Sequence, residues 1–128
     1  MKTVYYEQKI VLEHSIYARV DKLDEGYDVS LLGGCRTHIG AVSLAAPGQE
    51  TRTLGRCGHK ETAVSVRWAA ELAKIWAAPV CVRCGIHYDT LSAEGLEQVL
   101  STCADMLENI LSNGLVRQKT QNQHFGIL

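Results

Sequence analysis

The chain has 128 residues, 46% apolar and 21% charged, with 5 Tyr, 2 Trp and 1 Phe, which describes one soluble globular domain able to bury roughly two-thirds of its unfolded surface without disulfide or structural metal. Thirteen Lys and Arg against fourteen Asp and Glu leave a formal charge of -1 with no basic tract, which disfavours a sequence-independent grip on nucleic acid but leaves room for a small anion. No apolar run reaches the ~18 residues of a bilayer span and no signal peptide is visible. The 5 cysteines are an odd count suited to a reducing compartment, so a cytoplasmic protein with no membrane span is expected.

From Val4 to Val20 apolar side chains take even positions (Val4, Tyr6, Ile10, Leu12, Ile16, Ala18, Val20), while Glu7, Lys9, Glu13, Arg19 and Asp21 are odd. That is a strand period. A two-residue hairpin loop pairs positions of opposite parity, so the unbroken phase predicts one long bent strand, or two strands joined by an odd-length loop or bulge. Residues 21–26 read as a turn. Strands are expected over 27–32 and 39–45, broken by the run from Gly33 to His38.

Residues 46–58 read as a loop with room for a short strand at 51–54. A helix is expected over 60–76, with Lys60, Arg67, Glu71 and Lys74 in a narrow polar wedge and apolar side chains over most of the remaining circumference, hence nearly enclosed. Pro79 restarts an extended segment in which Val80, Val82, Cys84 and Ile86 share a face. In the last helix Leu96, Val99, Leu100, Cys103, Leu107, Ile110 and Leu111 form a stripe, opened by Ser92 as N-cap and closed at Asn113-Gly114. Residues 1–117 are expected to form a single domain and 118–128 a polar, flexible tail. Strands first and helices late predict an α+β fold, an antiparallel or mixed sheet of about five strands with two helices packed on it.

Three glycine-flanked segments carry histidine: Gly33-Gly34-Cys35-Arg36-Thr37-His38-Ile39-Gly40, then Gly55-Arg56-Cys57-Gly58-His59-Lys60-Glu61, then Cys84-Gly85-Ile86-His87-Tyr88-Asp89. If they converge, Arg36, His38, Arg56, His59, Lys60, His87 and Asp89 form a set suited to an anion, and the second segment adds the unpaired N–H groups of a helix start. Each histidine taken singly is better explained as a hydrogen-bonded loop residue, and only the three together favour a binding set. His38, His59 and His87 with Asp89 would suit zinc chemically, but their spacing matches no local ligand motif, so no metal is expected. Cys81 and Cys84, three apart on a strand, should face opposite ways, with Cys84 and Cys103 in the core.

At these segments the chain resembles the small prenylated-flavin chaperone-like proteins, the LpdD-like family of gallate decarboxylase systems. The resemblance rests on Gly-Gly-x-x-x-His-Ile-Gly-Ala-Val from Gly33 to Val42, Gly-His-Lys-Glu from Gly58 to Glu61, and Gly-Ile-His-Tyr-Asp from Gly85 to Asp89, and spans about residues 4–112. Arg36 and Thr37 depart from the proline expected before the histidine.

The resemblance implies a fold like that of the small proteasome-assembly chaperones, which commonly dimerise, so a homodimer is expected. It also implies an accessory protein, not itself the decarboxylase, that binds prenylated FMN or FMN and delivers it to a UbiD-like decarboxylase acting on aromatic or α,β-unsaturated acids. Gly34, Arg36, His38, Arg56, Gly58, His59, Lys60, His87 and Asp89 are then the candidate ligand-binding residues. Two other functions fit the same residues: a small metal-dependent enzyme using His38, His59 and His87, and a purely structural interaction protein.

Overall fold

The computed structural model describes residues 1–56 and 60–114. Its elements run β1 (Lys2–Val11), β2 (His14–Lys22), β3 (Tyr27–Gly34), β4 (Arg36–Ala45), β5 (Arg52–Gly55), α1 (Thr62–Trp76), β6 (Val80–His87) and α2 (Ala93–Ser112). The strands form one six-stranded sheet in the order β1-β2-β3-β6-β4-β5. It is a mixed sheet, because β6 runs parallel to β3 and antiparallel to β4. Both helices contribute to the one buried core, α1 packing on β4, β5 and β6 and α2 on β1 and α1. The α+β architecture therefore matches expectation, with six strands where about five were read.

The parity argument over residues 4–20 fails at its turn. β1 and β2 are joined by a two-residue loop, Leu12-Glu13, with Val11 opposite His14 and both loop residues at positive φ (50° and 69°). Such a loop normally advertises itself through Asn or Gly, and here it does not. The faces do swap: Ile16, Ala18 and Val20 are buried in β2, whereas Tyr6 and Ile10 in β1 are 55% and 74% exposed on the sheet face that no helix covers. The second correction concerns the predicted break over 33–38. β3 continues to Gly34 and β4 starts at Arg36, leaving Cys35 alone as the turn. β6 is inserted between these two strands, and the turn wraps its end, the Cys35 N–H donating to the His87 carbonyl at 2.6 Å.

α1 begins at Thr62, two residues later than read, and is not nearly enclosed. Ser65, Trp68, Ala69, Leu72, Ala73 and Trp76 are buried, but Val66 and Ile75 are 38% and 61% exposed. A buried hydroxyl relay fixes the helix start over the sheet, Ser43 Oγ lying 2.6 Å from Thr53 Oγ1 and donating to Ser65 Oγ at 2.8 Å. α2 is capped by Ser92, whose Oγ accepts the Gly95 N–H at 3.0 Å. Its buried stripe is Val99, Cys103, Met106, Leu107 and Ile110, while Leu96 and Leu100 stand out of the core at 45% and 46% exposure. Among the described residues no helix is long and apolar enough to cross a membrane. The tail over 118–128 lies outside the described residues.

The uncovered face carries its own polar network. The buried Asp21 accepts from Arg19 at 2.8–3.1 Å and from Thr3 Oγ1 at 2.6 Å, while Arg83 donates to Asp28 at 3.3 Å and to Ser30 at 2.6 Å. The Arg19 hydrogen bonds, and after them the Thr3 hydroxyl, hold the Asp21 carboxyl below the usual carboxylate range. A folded-state pKa below the unfolded one contributes stability above the unfolded value and loses it as pH falls through the folded one. The urea midpoint of Asp21→Asn should therefore lie below wild type at pH 7, and the gap should close as pH drops below about 4. A gap independent of pH would show that Asp21 titrates alike in both states.

Candidate functional site

The site forms where the sheet's alternation is broken. β4 pairs regularly with β6 from Ala41 to Ala45, but residues 38–40 lie opposite Gly85 alone before pairing resumes at Thr37–Ile86. Ala41, Ser43 and Ala45 point into the core, so an unbroken strand would send His38 to the uncovered face. The bulge turns it to the helical side instead, a known use of such irregularities. There its Nε2 donates to Glu61 Oε2 at 2.8 Å, with the two side chains only 15% and 14% exposed.

Glycines make that geometry possible. A Cβ on Gly85 would overlap the His38 carbonyl oxygen, and one on Gly40 would overlap the Glu61 carboxylate. Gly34, read as a ligand contact, works through the backbone: at φ +87° it turns under the His87 carbonyl, which any Cβ would strike.

A second imidazole meets the first. The His87 ring lies 5.8 Å from that of His38, edge to face, and its Nε2 donates to Asp89 Oδ1 at 2.9 Å. Arg36 Nη2 lies 3.4 Å from the same nitrogen, which, while donating to Asp89, has no lone pair to accept from the guanidinium. Carboxylates thus orient both imidazoles, and Arg36 and Lys60 supply positive charge beside them. Arg56 does something different: its backbone N–H donates to Gly40 O at 2.9 Å and its Nη1 to Ile39 O at 3.2 Å. It braces the bulge and does not line the cleft. Gly58 and His59 lie outside the described residues. Among the described residues no group of three or more His, Cys, Asp or Glu is placed to hold a metal ion.

The imidazoles stand at one end of a cleft of about 310 Å³ between α1, α2 and β6. Its polar end is His38, Lys60, Glu61 and His87; the remaining walls are Val64, Cys84, Ile86, Tyr88, Leu91, Leu96, Val99, Leu100 and Cys103. Of these, the sequence points to His38, Lys60 and His87 as binding residues; Glu61 and the apolar walls, several of them legible as core positions, carry no such signal themselves. The available signals were Gly40 and Gly85, each two residues from a histidine, and Leu96 and Leu100, which widen the last helix's stripe beyond what one sheet covers.

Burial raises the Cys84 thiol well above its usual range, with Cys103 and then Glu61 adding to the shift, and burial alone pushes Cys103 up to about 12. Both stay protonated and unreactive at neutral pH. Iodoacetamide at pH 8 should modify the exposed Cys35 and spare Cys84 and Cys103 until denaturant is added, as read by peptide mass mapping. Early labelling of Cys103 would mean that the cleft floor opens to solvent.

A model of the prenylated flavin chaperone LpdD-like domain matches residues 11–114 of this chain. The chain belongs to that family. Membership in this chaperone family implies association with a flavin and with a partner enzyme. Among solved structures, the LpdD-like chain is similar to a protein from a crystal structure described as a novel chaperone complex for yeast 20S proteasome assembly. The two share 14% identity at a TM-score of 0.50, over 87% of this chain and 99% of the other. At that identity the likeness establishes the fold. No curated protein matches the chain.

Proposed function

We propose that this LpdD-like protein is a non-catalytic chaperone that binds prenylated FMN, or FMN, in the cleft between α1 and α2 and delivers it to a UbiD-like decarboxylase. The observation carrying this reading is an apolar cleft closed at one end by His38, His87 and Lys60, in a chain whose family model is a prenylated flavin chaperone. The donor set fits the group. A phosphate monoester is a strong acceptor that suits the Lys60 ammonium at the polar end of the cleft, with the Arg36 guanidinium beside His87 adding positive charge from outside the lining, and aliphatic walls suit a hydrocarbon-bearing flavin. When bound, the flavin supplies chemistry to the partner enzyme; this chain's residues grip the phosphate, shelter the apolar part and exclude water.

The same reading places one domain per chain in the cytoplasm, where free thiols such as Cys35 persist, and pairs two copies through the uncovered sheet face. Equilibrium titration with prenylated FMN and with FMN tests it. A Kd tighter than about 100 µM (about -5.5 kcal/mol) for at least one flavin, weakened at least tenfold by His38→Ala with Lys60→Ala, is expected. Absence of binding by both flavins at that concentration, with no decarboxylase co-purifying, would overturn it.

A further inference from the structure

α2 carries charge of one sign on one side. Glu94, Glu97, Asp105 and Glu108 are all exposed, and at 3.6 residues per turn they fall within a wedge of about 80° that runs about 21 Å along the helix. The helix contains no Lys or Arg, and among the described residues none of these four carboxylates has an ion pair; Lys9 of β1 pairs with Glu7 instead, at 3.9 Å. Like charges three residues apart, Glu94 with Glu97 and Asp105 with Glu108, weaken a helix, and Glu108 stands near the end where the helix dipole favours a cation. The stripe is a cost to the isolated chain. Since the whole chain has a formal charge of only -1, four negative charges are gathered on one helix face of an otherwise net-positive protein.

Apolar surface borders the stripe on both sides. Leu96 and Leu100 lie on the side of α2 that lines the cleft and are half exposed. On the other side a second groove separates α2 from the end of β1, with Val11 and Leu12 on one wall and Glu94, Glu97 and Thr102 on the other; Leu12 is 41% exposed. Charge flanked by apolar side chains is the make-up of a protein-binding surface, in which the charges steer and orient and the apolar contacts hold. The sign of the charge selects the occupant. Nucleic acid and anionic lipid surfaces are repelled, and a two-fold contact with a second copy through α2 would set the stripe against itself. A protein surface studded with Lys and Arg meets none of these penalties.

We infer that the outer face of α2 is the docking surface for the enzyme that receives the flavin, and that this enzyme meets it with a cationic patch bordered by apolar side chains. The inference rests on the proposed delivery role and deepens it by assigning the partner's contact. The place suits a transfer. Leu96 and Leu100 belong both to α2 and to the exposed rim of the cleft, so an enzyme seated on the stripe stands beside the ligand it collects. Charge steering then brings the enzyme to that side of the molecule before the apolar rim is covered.

The test measures binding of the purified, flavin-free UbiD-like decarboxylase of the same cells to the full chain loaded with prenylated FMN, at about 50 and about 300 mM NaCl, for wild type and for Glu97→Lys with Asp105→Lys. Neither position lines the cleft, and lysine is a good helix former, so the variant should fold and keep a flavin Kd within about twofold of wild type. Wild type should lose at least tenfold in affinity for the enzyme between the two salt concentrations, and the variant should bind it at least tenfold more weakly than wild type at the lower one. The salt arm uses wild type and stands even if the variant does not fold. A wild type that binds flavin but not the enzyme at about 100 µM, an affinity indifferent to salt, or a folded variant that binds the enzyme as tightly would each overturn the docking surface while leaving flavin binding intact. Failure of flavin to bind would instead remove the role on which it rests.

Discussion

Gly85→Ala is expected to destabilise the fold by about 3 kcal/mol or more, although it adds a single methyl group. Gly85 sits in the strand at the sheet's centre, paired with Leu32 of β3 on one side and facing the bulge of β4 on the other. The added Cβ would overlap the His38 carbonyl oxygen and approach the Ile39 nitrogen at 3.3 Å. These are backbone atoms of the bulge, which is anchored at both ends by the Thr37–Ile86 and Ala41–Cys84 pairs and braced by Arg56 on the Ile39 and Gly40 carbonyls, so relief requires the bulge itself to move. His38 would then lose its aim at Glu61. Gly40→Ala makes an informative contrast, because its Cβ would meet the far end of the Glu61 side chain, which can rotate away. That variant should fold within about 1 kcal/mol of wild type and still lose the His38–Glu61 hydrogen bond, hence ligand affinity. Urea denaturation separates the two. A Gly85→Ala midpoint indistinguishable from wild type would mean that the bulge is not pinned by β6.

Much of this architecture is legible in the sequence because the relevant signals are local. The capping of α2 by Ser92 and the inward face of Val80, Val82 and Cys84 both follow from periodicity and turn chemistry, whereas the approach of His38 to His87 could be read only as a condition on how the glycine-flanked segments meet. What escaped has non-local causes. The Leu12-Glu13 loop adopts positive φ without Gly or Asn, because pairing of two long strands imposes a conformation the residues do not prefer, so local propensity gave no warning. The insertion of β6 between β3 and β4 is equally invisible, since the segment separating them in sequence is a one-residue turn. The cleft depends on that insertion, for β6 supplies Cys84 and His87 while the helices on either side of it in sequence supply the walls. Glu61 belongs to the site for the same reason: its partner His38 lies 23 residues away, and only the bulge turns the imidazole towards it.

The outward apolar residues of the sheet lead to the second large effect, on assembly. Tyr6 and Tyr17 stack at 6.0 Å between centroids. At the opposite margin Leu44 and Leu54 are 54% and 82% exposed. Between them the charged groups are already paired within the chain, Arg19 with Asp21 and Arg83 with Asp28, which lowers the cost of covering them. Six strands at about 4.8 Å spacing, with seven or eight residues at about 3.3 Å, make a face roughly 25 Å across in each direction. That approaches the ~800 Å² per partner of a standard interface. A second copy would offer the same face, and a two-fold axis would bring every substitution in twice. Leu44→Asp with Leu54→Asp should therefore weaken self-association at least a hundredfold, about 3 kcal/mol, and yield monomers. Since both side chains are exposed in the single chain, the thermal midpoint measured on dilute monomer should barely move. Light scattering after size exclusion reads the outcome. A wild-type protein that stays monomeric at about 100 µM (about -5.5 kcal/mol), or a double variant that remains dimeric, would place the homodimer contact elsewhere or remove it. Because the cleft opens on the helical side, pairing through this face would leave both ligand sites of the dimer accessible to a decarboxylase.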